Sequence, residues 1–456
     1  SSDMLGLCRA QSHSNTPDRD YLLGFFKYID FRTLPESSVT KLLPGHILSY
    51  SLDGLKINKY WYPEKIRKDL SLKYDTIISQ LRALLVDAVK IRSDSRFEAG
   101  AHVSSGLDSG IVSVLVRNEY VHQSAFYGFS WSPDEFVPPG VKFDEREIIR
   151  NACRKTNIIP VFSDMKPSEF TALVSAFYYN RGFYIEDIAL RQARSLGVNL
   201  IFSGWGGDEF ISTGDRGIEI DLLRHLRFGM YFRRNPIKPF RKFAKNQLNF
   251  VLYPFLGILN KGTSKAFDNE TRYIRKPFKK SDREAIGRFY FHRSRRQMHL
   301  RMLSFYHLQD RCETWAVNGF RKGIEYRYPL LDRRIIEFMI KVPTELLCKK
   351  QCFRPLLREI GLGLMPDEIR LHMEKSDHVY REFLNQVYDD ASLGLIDEIE
   401  LWSANEDLDF VDFDLLRKDI DRYRSGDTEV NRKLLSRSLV LIKSVHEFSK
   451  QYRGKS

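Results

Sequence analysis

Residues 104–110 read "SSGLDSG", a loop of small side chains, hydroxyls and one carboxylate between two apolar runs. Ser104 and Ser109 could donate hydroxyl hydrogen bonds to an anion. Three further positions have so little bulk that phosphate oxygens could approach the backbone: Ser105, Gly106 and Gly110. Because a helical pattern follows, the backbone N–H groups of a helix start would face the same anion. This combination predicts a phosphate-binding loop.

Asp108 is the charged residue of this loop, and its carboxylate would repel a phosphate. A Mg²⁺ ion between the two groups removes this conflict, since magnesium is commonly held by one or two carboxylates together with phosphate oxygens. The loop lacks the lysine of the G-x-x-x-x-G-K-[ST] motif, which excludes that class of phosphate loop. A simple Ser/Gly-rich turn, with Asp108 capping the next helix, stays open as the alternative interpretation.

A second stretch of the same kind is "FSGWGGDEF", residues 202–210, which also follows an apolar strand pattern. It supplies three glycines and two acids: Gly204, Gly206, Gly207, Asp208 and Glu209. If the two preceding strands are parallel, Asp108 and Asp208 arrive at the same edge of the sheet and could share one magnesium beside a triphosphate. A glycine-rich loop ahead of a helix is the simpler alternative for this stretch taken alone.

The elements around both loops alternate between strand and helix. Strands are expected at "EAGAHV", "SAFYGFS", "IIPVFS" and "VNLIFS", and helices at 74–92, 109–119, "DEREIIRNACRKT", "KPSEFTALVSAFYYN" and "EDIALRQARSLG". Asp144 is the expected N-cap of the helix "DEREIIRNACRKT", and Gly197 is the expected C-cap of the last helix. The alternation indicates an α/β fold with a doubly wound parallel sheet, in which ligands bind beyond the carboxyl ends of the strands.

Pattern and charge divide the chain into four segments. Residues 1–63 hold short strand-like runs around the turns Pro44-Gly45 and Asp53-Gly54, and they are a small unit to stand alone, so we expect them to be the tail of a preceding domain. Residues 64–220 carry the alternating α/β core, 221–301 mix cations with aromatic residues, and 302–456 show mainly helical spacing. We expect this helical C-terminal part to complete the domain that the core begins.

The chain of 456 residues has a formal net charge of +13, and the positive charge is concentrated in one segment. Residues 221–301 contain 21 Lys and Arg against 5 Asp and Glu, a net +16, which leaves −3 for the rest of the chain. This distribution argues against a nucleic-acid binder and for a local function. Four interpretations of the segment stay open: a solvated face, a membrane contact through "NFVLYPFLGIL", a dock for an acidic peptide or partner, and, least favoured, a nucleic-acid site.

Cysteine usage and hydropathy bear on the compartment. Five cysteines are present, at positions 8, 153, 312, 348 and 352, an odd number that favours free thiols in a reducing environment. No stretch of about 18 uninterrupted apolar residues occurs, so no transmembrane helix is expected. The first residues show no apolar signal region. We therefore expect a cytoplasmic protein, with peripheral membrane contact left open.

The two loops, in this order, resemble the motifs S-G-G-x-D-S and S-G-E-G-x-D-E of the asparagine synthase family. Two later stretches are also similar to that family: "GIEYRYPLLDRRIIEFMIKVPTELL" at 323–347 and "FRPLLREIGLGLMPDEIRLHMEKSD" at 353–377. The first is similar to its E-x-R-x-P-F-L-D region, and the second to its R-x-x-x…P-x-x-I…K ending. The opening stretches "LLPGHILSY" and "KYWYPE" resemble the tail of the glutaminase domain that precedes the synthetase domain. The resemblance covers roughly residues 20–380.

This resemblance implies an ATP-pyrophosphatase (HUP-like) fold that uses ATP and Mg²⁺. A carboxylate would attack the α-phosphorus of ATP to give an acyl-adenylate and pyrophosphate, and ammonia or an amine would then displace AMP. By position, nine residues would bind ATP or pyrophosphate: His102, Ser104, Ser105, Gly106, Asp108, Ser109, Tyr127, Ser203 and Gly204. Asp108 and Asp208 would hold the metal. Asp108, Asp208 and Lys375 together would form the catalytic set. Lys375 would stabilise negative charge on the phosphate and on the tetrahedral intermediate.

The chain departs from the family pattern where the acyl acceptor would bind. Trp205 stands where asparagine synthases carry a glutamate that can accept a proton from the incoming amine, and tryptophan cannot accept one. Residues 212–214 read Ser-Thr-Gly in place of Gly-Gly-Tyr. Trp205 and Glu209 are therefore the candidates for shaping this part of the site. Relatives that form β-lactams or lasso-peptide macrolactams also alter the glutamate position, and they use an internal amine.

Three functions are compatible with these observations. The default is an asparagine synthase that amidates aspartate with glutamine-derived ammonia. Cys8 does not match the family's terminal cysteine nucleophile, so two alternatives stay open: a glutaminase domain precedes Ser1, or the ammonia is not generated by this protein. The second is a ligase that joins a side-chain carboxylate of a peptide to an amine, as in lasso-peptide cyclisation. The third is a non-catalytic basic docking protein on the same fold. Asp108, Asp208 and Lys375 favour an enzyme, because a decayed site has no need of them.

Overall fold

The centre of the molecule is a parallel β-sheet with helices on both faces. A computed structural model describes residues 16–26, 31–137, 140, 143–176, 184–212, 217–258, 261–279, 292–348, 354–373 and 377–453. Its strands are β1 (His46–Ser51), β2 (Gly54–Lys59), β3 (Ala99–His102), β4 (Tyr127–Pro133), β5 (Ile159–Ser163), β6 (Leu200–Phe202) and β7 (Glu325–Arg327). The five-stranded sheet has the order β5-β4-β3-β6-β7, and all its pairings are parallel. The predicted doubly wound α/β fold is confirmed.

The central strands β3 and β6 are buried on both faces, as expected for a parallel sheet covered by helices. On β6, Leu200 and Phe202 pack in the core formed with helices Tyr74–Lys90 and Leu107–Glu119. Ile201 points to the opposite face, where it packs with residues of helices 185–195 and 307–321. The alternation of successive side chains thus places one hydrophobic core on each side of a three-residue strand.

The helices of the described residues follow in chain order. They are Arg19–Leu23, Tyr74–Lys90, Leu107–Glu119, Glu145–Lys155, Phe170–Ala176, Ile185–Ser195, Ile218–Arg224, Phe228–Arg234, Phe240–Gln247, Tyr253–Leu256, Lys261–Glu270, Arg295–Ser304, His307–Arg321, Arg333–Lys341, Thr344–Leu347, Pro355–Ile360, Asp367–Arg370, His378–Leu395, Ile399–Ser403, Phe413–Arg424 and Arg432–Arg453. A π-helical turn, Leu248–Leu252, joins two of them. The C-terminal part is therefore helical, as predicted.

Most sequence-based expectations for single elements are met within a few residues. Asp144 is the N-cap of helix Glu145–Lys155, where its side chain accepts a hydrogen bond from the Arg146 N–H. Gly197 has a φ of +78°, one residue beyond the C-cap of helix Ile185–Ser195. The predicted helix at 166–180 is described only to residue 176, as a 3₁₀ turn followed by an α-helix.

The sequence analysis did not predict β7. This strand has only three residues, Glu325–Arg327, and its one buried side chain is Tyr326. Its pairing with β6 aligns Ile201 with Tyr326. A strand this short, with charged residues on either side of its centre, shows no apolar run, so only its neighbour in the sheet defines it.

The C-terminal helices build a second core beside the sheet. Helix Arg432–Arg453 packs extensively on helix His378–Leu395. Near its end, the Phe448 ring lies 5.1 Å from Tyr21 and 5.9 Å from Phe25, measured between ring centroids. The first described residues are therefore held by the last helix. No helix in the described part of the chain combines the length and apolar character needed to cross a membrane.

Candidate active site

Two loops meet at the carboxyl edge of the sheet. β3 and β6 are adjacent and parallel, with Ala101 aligned to Phe202, so the chain segments that follow them emerge side by side. A Cβ built on Gly204 would lie 2.6 Å from the Ser109 nitrogen and 2.7 Å from the Asp108 carbonyl carbon. Only glycine permits this approach, because real Cβ atoms do not come so close to a backbone. The glycine therefore holds the two loops in direct contact.

Asp108 and Asp208 lie close enough to share one cation. The Arg354 Nη1 donates to Asp108 Oδ2 at 2.8 Å, and its Nη2 donates to Asp208 Oδ1. The Ser212 hydroxyl is 3.4 Å from Asp108 Oδ2 and 3.5 Å from Asp208 Oδ1. The Asp108 side chain is only 16% exposed, whereas Asp208 is 49% exposed. The edge of the sheet therefore carries two convergent carboxylates with an arginine between them.

The surroundings of Asp108 favour its protonated form. Burial and the neighbouring Asp208 carboxylate raise the pKa of Asp108 to about 7, against the opposing effect of Arg354. Its second oxygen, Oδ1, is buried without a hydrogen-bond partner in the described structure. A cation bound to this unpartnered oxygen would favour the ionised carboxylate instead, because metal binding displaces the proton.

These residues fit a Mg²⁺ ion. Two carboxylates converge, and one of them has a free buried oxygen. Among the described residues no group of three or more His, Cys, Asp or Glu could hold a metal. A magnesium here would therefore depend on phosphate oxygens and water for its remaining ligands, which is the usual arrangement for this ion.

The first loop presents a helix start to the same edge. Helix Leu107–Glu119 begins after Gly106, and no side chain caps its first N–H groups. The hydroxyls of Ser104 and Ser109 share a hydrogen bond at 2.6 Å, and the Gly106 N–H donates to Ser104 Oγ at 3.1 Å. Open amides at the positive end of a 13-residue helix favour an anion.

The sequence analysis expected Gly110 to let a phosphate approach the backbone. In the structure, its lack of a side chain allows close helix packing instead. Gly110 is buried inside the helix, and a Cβ built on it would lie 2.9 Å from both the Ile369 and Met365 side chains. Gly207 also has no room for a side chain, because a Cβ built on it would lie 2.1 Å from Asp108 Oδ1. Two of the glycines that suggested an open loop are thus required by close contacts with neighbouring groups.

A cavity of about 390 Å³ opens beside these loops. This volume is within the range of pockets that hold small molecules. Its lining combines the two loops with aromatic and cationic side chains, and includes His102, Ser104, Ser105, Gly106, Asp108, Ser109, Ser203, Gly204, Trp205, Asp208, Arg311, Trp315, Arg354, Asp377, Tyr380 and Arg381. The predicted loop residues therefore face one common space.

His102 is held by a buried hydrogen-bond network at the end of β3. Its Nδ1 lies 3.2 Å from Ser203 Oγ, and its Nε2 lies 3.0 Å from Glu186 Oε1. Glu186 is fully buried, and it also accepts hydrogen bonds from Trp131 Nε1 at 2.7 Å and from the Tyr326 hydroxyl. Each polar group of this network is thus satisfied by another, and the cavity wall is fixed in one arrangement.

The ring of Trp205 lies against a half-buried cation, the Arg311 guanidinium. The Arg311 guanidinium lies 3.7 Å from the ring centroid, and the indole N–H donates to the Leu308 carbonyl at 3.3 Å. Burial lowers the pKa of Arg311 to about 10, so the side chain stays charged at neutral pH. Glu209 turns away from the cavity lining, and its Oε1 is 3.4 Å from His307 Nε2. This end of the cavity is therefore aromatic and positively charged.

Tyr127 and Glu209 are predicted site residues that are not among the residues lining the cavity. Tyr127 is the first residue of β4, where it is aligned with Gly100 of β3 at the amino end of the strands. Lys375 lies outside the described residues, as do Thr213 and Gly214.

The sequence analysis missed several lining residues, chiefly Arg354, Arg311 and Arg381. Arg354 contacts Asp108 across 246 positions and Asp208 across 146 positions of the chain. The only sequence signal for it was its place in the stretch that resembles the family ending. A cation that reaches the site from a distant helix has no local motif of its own.

The cavity wall formed by helix His378–Leu395 is anchored by a buried acid. Glu145 accepts hydrogen bonds from the N–H groups of Val379 at 3.0 Å and Tyr380 at 2.9 Å, and from the Ser132 hydroxyl at 3.0 Å. A carboxylate here satisfies open amides and complements the positive end of the helix. Glu145 thereby fixes the position of Tyr380, which lines the cavity.

Comparison with known proteins gives three relatives whose names describe them as asparagine synthetases. The chain is 30% identical over 199 residues to the putative asparagine synthetase [glutamine-hydrolyzing] 2 of Methanocaldococcus jannaschii, covering 41% of this chain and 36% of that protein. It is 19% identical to asparagine synthetase [glutamine-hydrolyzing] 1 of Bacillus subtilis, covering 75% of this chain and 56% of the relative. With asparagine synthetase [glutamine-hydrolyzing] 3 of the same organism it shares 21%, covering 75% and 54%. The chain thus spans about half the length, or less, of these curated relatives.

The profile of a single protein family, asparagine synthase, matches residues 80–446. This match includes both loops, the five-stranded sheet and most of the C-terminal helices. It therefore covers the elements that build the cavity, and by this match the chain belongs to the asparagine synthase family.

Proposed function

We propose that this protein is an ATP-dependent amide-bond synthetase that releases AMP and pyrophosphate. The observation that carries the proposal is the convergence of Asp108 and Asp208 beside an uncapped helix start in a cavity of about 390 Å³. Carboxylates and helix amides at one edge suit a magnesium-bound triphosphate. Membership of the asparagine synthase family supports the same reaction class.

The proposed reaction has two steps. A substrate carboxylate oxygen attacks the α-phosphorus of ATP, the bond to the bridging oxygen breaks, and pyrophosphate leaves. The nitrogen of ammonia or an amine then attacks the acyl carbon and loses a proton, and the bond to AMP breaks. Catalysis of this kind depends mainly on positioning and on stabilisation of developing charge.

Different residues of the cavity are proposed to bind the pyrophosphate, the metal ion and the nucleoside. The amides of helix Leu107–Glu119, with the Ser104 and Ser109 hydroxyls, would hold pyrophosphate oxygens. Asp108 and Asp208 would hold Mg²⁺, which supplies charge neutralisation to the phosphates when bound. Arg354 lies between the carboxylates and could turn to the phosphates when a metal replaces it there. Ser203 and Gly204 line the same cavity and are proposed to contact the nucleoside.

The carboxylate substrate is proposed to be aspartate, with ammonia as the nitrogen donor, by analogy with the names of the relatives. A second candidate is a ligase acting on a peptide carboxylate. The observation that favours it is Trp205, which carries Arg311 at 3.7 Å and cannot accept a proton. Since the amine of the family reaction needs a proton acceptor, this departure points to a different amine or a different base.

Pyrophosphate release from ATP, with aspartate and ammonia present, tests the reaction class. Asp108→Asn is expected to lower the rate about a hundredfold or more, because the charge that holds the metal is removed from the cavity. Asp53→Asn is the matched control, since Asp53 lies in the exposed turn between β1 and β2 and should leave the rate unchanged. An Asp108→Asn variant as active as the wild type contradicts the proposal. A wild type that turns over no ATP with aspartate or with an added peptide contradicts it as well, and favours a non-catalytic docking protein.

The mass of the acyl group that is trapped from the adenylate distinguishes a small-molecule substrate from a peptide substrate. Incubation with ATP and no amine, followed by quenching with hydroxylamine, converts the acyl-adenylate to a hydroxamate that mass spectrometry identifies. Aspartyl hydroxamate supports the small-molecule substrate. Turnover that requires an added peptide, together with a peptide-sized hydroxamate, supports the ligase instead.

A further inference from the structure

Residues 224–258 form an exposed segment that buries few of its apolar side chains, which we call the basic apolar surface. None of the described side chains from 236 to 258 is buried. The helices Phe240–Gln247 and Tyr253–Leu256 contain no buried residue, although both carry aromatic side chains. In a globular protein a helix normally stays folded by burying an apolar face. This segment therefore leaves the apolar area of its helices available to a partner.

The exposed apolar side chains are large and close together in sequence. Ten of them lie within 33 residues: Leu226, Phe228, Phe232, Ile237, Phe240, Leu248, Leu252, Phe255, Leu256 and Ile258. The segment is attached to the body through the buried Tyr231 and the partly buried Met230 and Val251, which pack in the small core that includes Ile218 and Leu222. Single exposed apolar residues are normal, but a cluster of this size marks a site of interaction.

The charges of the surface have one sign. Residues 222–267 contain no Asp and no Glu, and they contain ten Lys and Arg. Two of these pair with acids of the body, Arg227 with Glu345 and Arg234 with Glu219. Six others form no ion pair within the described part of the chain: Arg224, Arg233, Lys238, Arg241, Lys242 and Lys245. The partner must therefore be both anionic and able to accept apolar side chains.

We propose that the basic apolar surface docks on an anionic lipid bilayer. Lys and Arg side chains would bind lipid phosphates, while Phe, Leu and Ile side chains would enter the boundary between headgroups and acyl chains. Nucleic acid fits less well, because aliphatic side chains such as Leu226, Ile237 and Leu256 gain nothing from phosphate or stacked bases. An acidic protein would satisfy the cations but would need a matching apolar surface as well, whereas a bilayer supplies phosphates and an apolar interior together.

This inference is independent of the ATP chemistry, because it uses none of the cavity residues. Flotation with lipid vesicles tests it directly, with phosphatidylcholine alone or mixed with phosphatidylglycerol. The full chain is expected to float with the mixed vesicles and not with pure phosphatidylcholine. High salt should weaken the binding, because the lipid phosphates are then screened.

Two variants separate apolar insertion from charge attraction. Phe240→Ser combined with Phe255→Ser removes two exposed rings, and Lys242→Glu reverses one exposed charge. Each is expected to weaken vesicle binding about tenfold or more. The matched controls are Leu52→Ser and Lys56→Glu, which make the same kinds of change on the exposed β1–β2 hairpin and should bind as the wild type does. Circular dichroism checks that every variant is folded.

Three results would overturn the proposal. The first is absence of binding to mixed vesicles by the folded wild type. The second is undiminished binding by the Phe240→Ser, Phe255→Ser variant, which would exclude insertion of the rings. The third is tight binding to polyglutamate or to RNA with none to vesicles, which would assign the surface to an acidic protein or to nucleic acid.

Discussion

At the scale of single residues, the site depends on how one arginine neutralises two acids. Arg354 is only 6% exposed, and it contacts both Asp108 and Asp208. Two carboxylates this close would repel each other without a cation between them. The Arg354 guanidinium therefore lies where a Mg²⁺ ion would bind. The negative charge of the two carboxylates would attract the guanidinium and the metal ion alike.

Arg354→Met is expected to destabilise the metal-free protein by about 2–3 kcal/mol, because a buried carboxylate loses its partner. Millimolar Mg²⁺ should restore part of this loss in the variant and should change the wild type less, since no guanidinium then competes with the ion. Urea unfolding with EDTA and with Mg²⁺ measures both effects. The matched control is Arg96→Met, which removes an exposed pair with Asp94. Equal Mg²⁺ responses of wild type and Arg354→Met would exclude a metal between the carboxylates.

At the scale of elements, capping acids tie helices to their neighbours around the sheet. Asp332 is the N-cap of helix Arg333–Lys341, where its side chain accepts from the Arg334 N–H at 2.9 Å. It also pairs with the Arg92 guanidinium at 2.7 Å. Burial alone would raise the pKa of Asp332, but the hydrogen bonds from Arg334 and Arg92 outweigh it and lower the pKa to about 2.

Asp332→Asn keeps a capping oxygen but removes the charge. A carboxyl whose pKa is lower in the folded state stabilises the fold above its unfolded value, and this contribution is lost as pH falls through the folded value. The variant should therefore lose about 2 kcal/mol at pH 7. The difference should shrink between pH about 4 and about 2. Thermal unfolding of both proteins over this range measures it, with the exposed Asp367→Asn as control. A difference that does not change with pH would contradict the assigned pKa.

At the scale of the whole molecule, the two ends of the described chain stabilise each other. The Phe448 ring on the last helix is 1% exposed and contacts Tyr21 and Phe25. The same core includes Phe383 and Val387 of helix His378–Leu395, the helix whose start lines the cavity. The packing of the C-terminal helices is thus connected to the wall of the site.

Phe448→Ala is expected to lower the free energy of unfolding by about 3–5 kcal/mol, because it leaves a cavity in this core. Leu401→Ala, at an exposed position, should cost much less. Urea unfolding monitored by circular dichroism compares the two variants with the wild type. A Phe448→Ala variant as stable as Leu401→Ala would mean that the N-terminal segment does not pack there in solution.

The sequence predicted the parts of this protein that depend on local pattern. Strands β3 to β6 and their helices could be predicted, because apolar periodicity and capping residues act over a few positions. The two loops could be identified as a pair, because each follows a strand and combines small residues with an aspartate. The roles assigned to Lys375, Tyr127 and the acceptor residues stay predictions.

The sequence by itself determined the fold class, the family resemblance and the position of both acidic loops, since these are properties of short stretches. Only the tertiary structure decided that Arg354 lies between Asp108 and Asp208, that Gly110 packs against Ile369, and that Glu186 holds His102. It also decided that residues 236–258 bury no side chain among those described. The physical reason is distance along the chain. Contacts that join positions 84 to 259 residues apart follow from the packing of whole elements, and no local pattern encodes them.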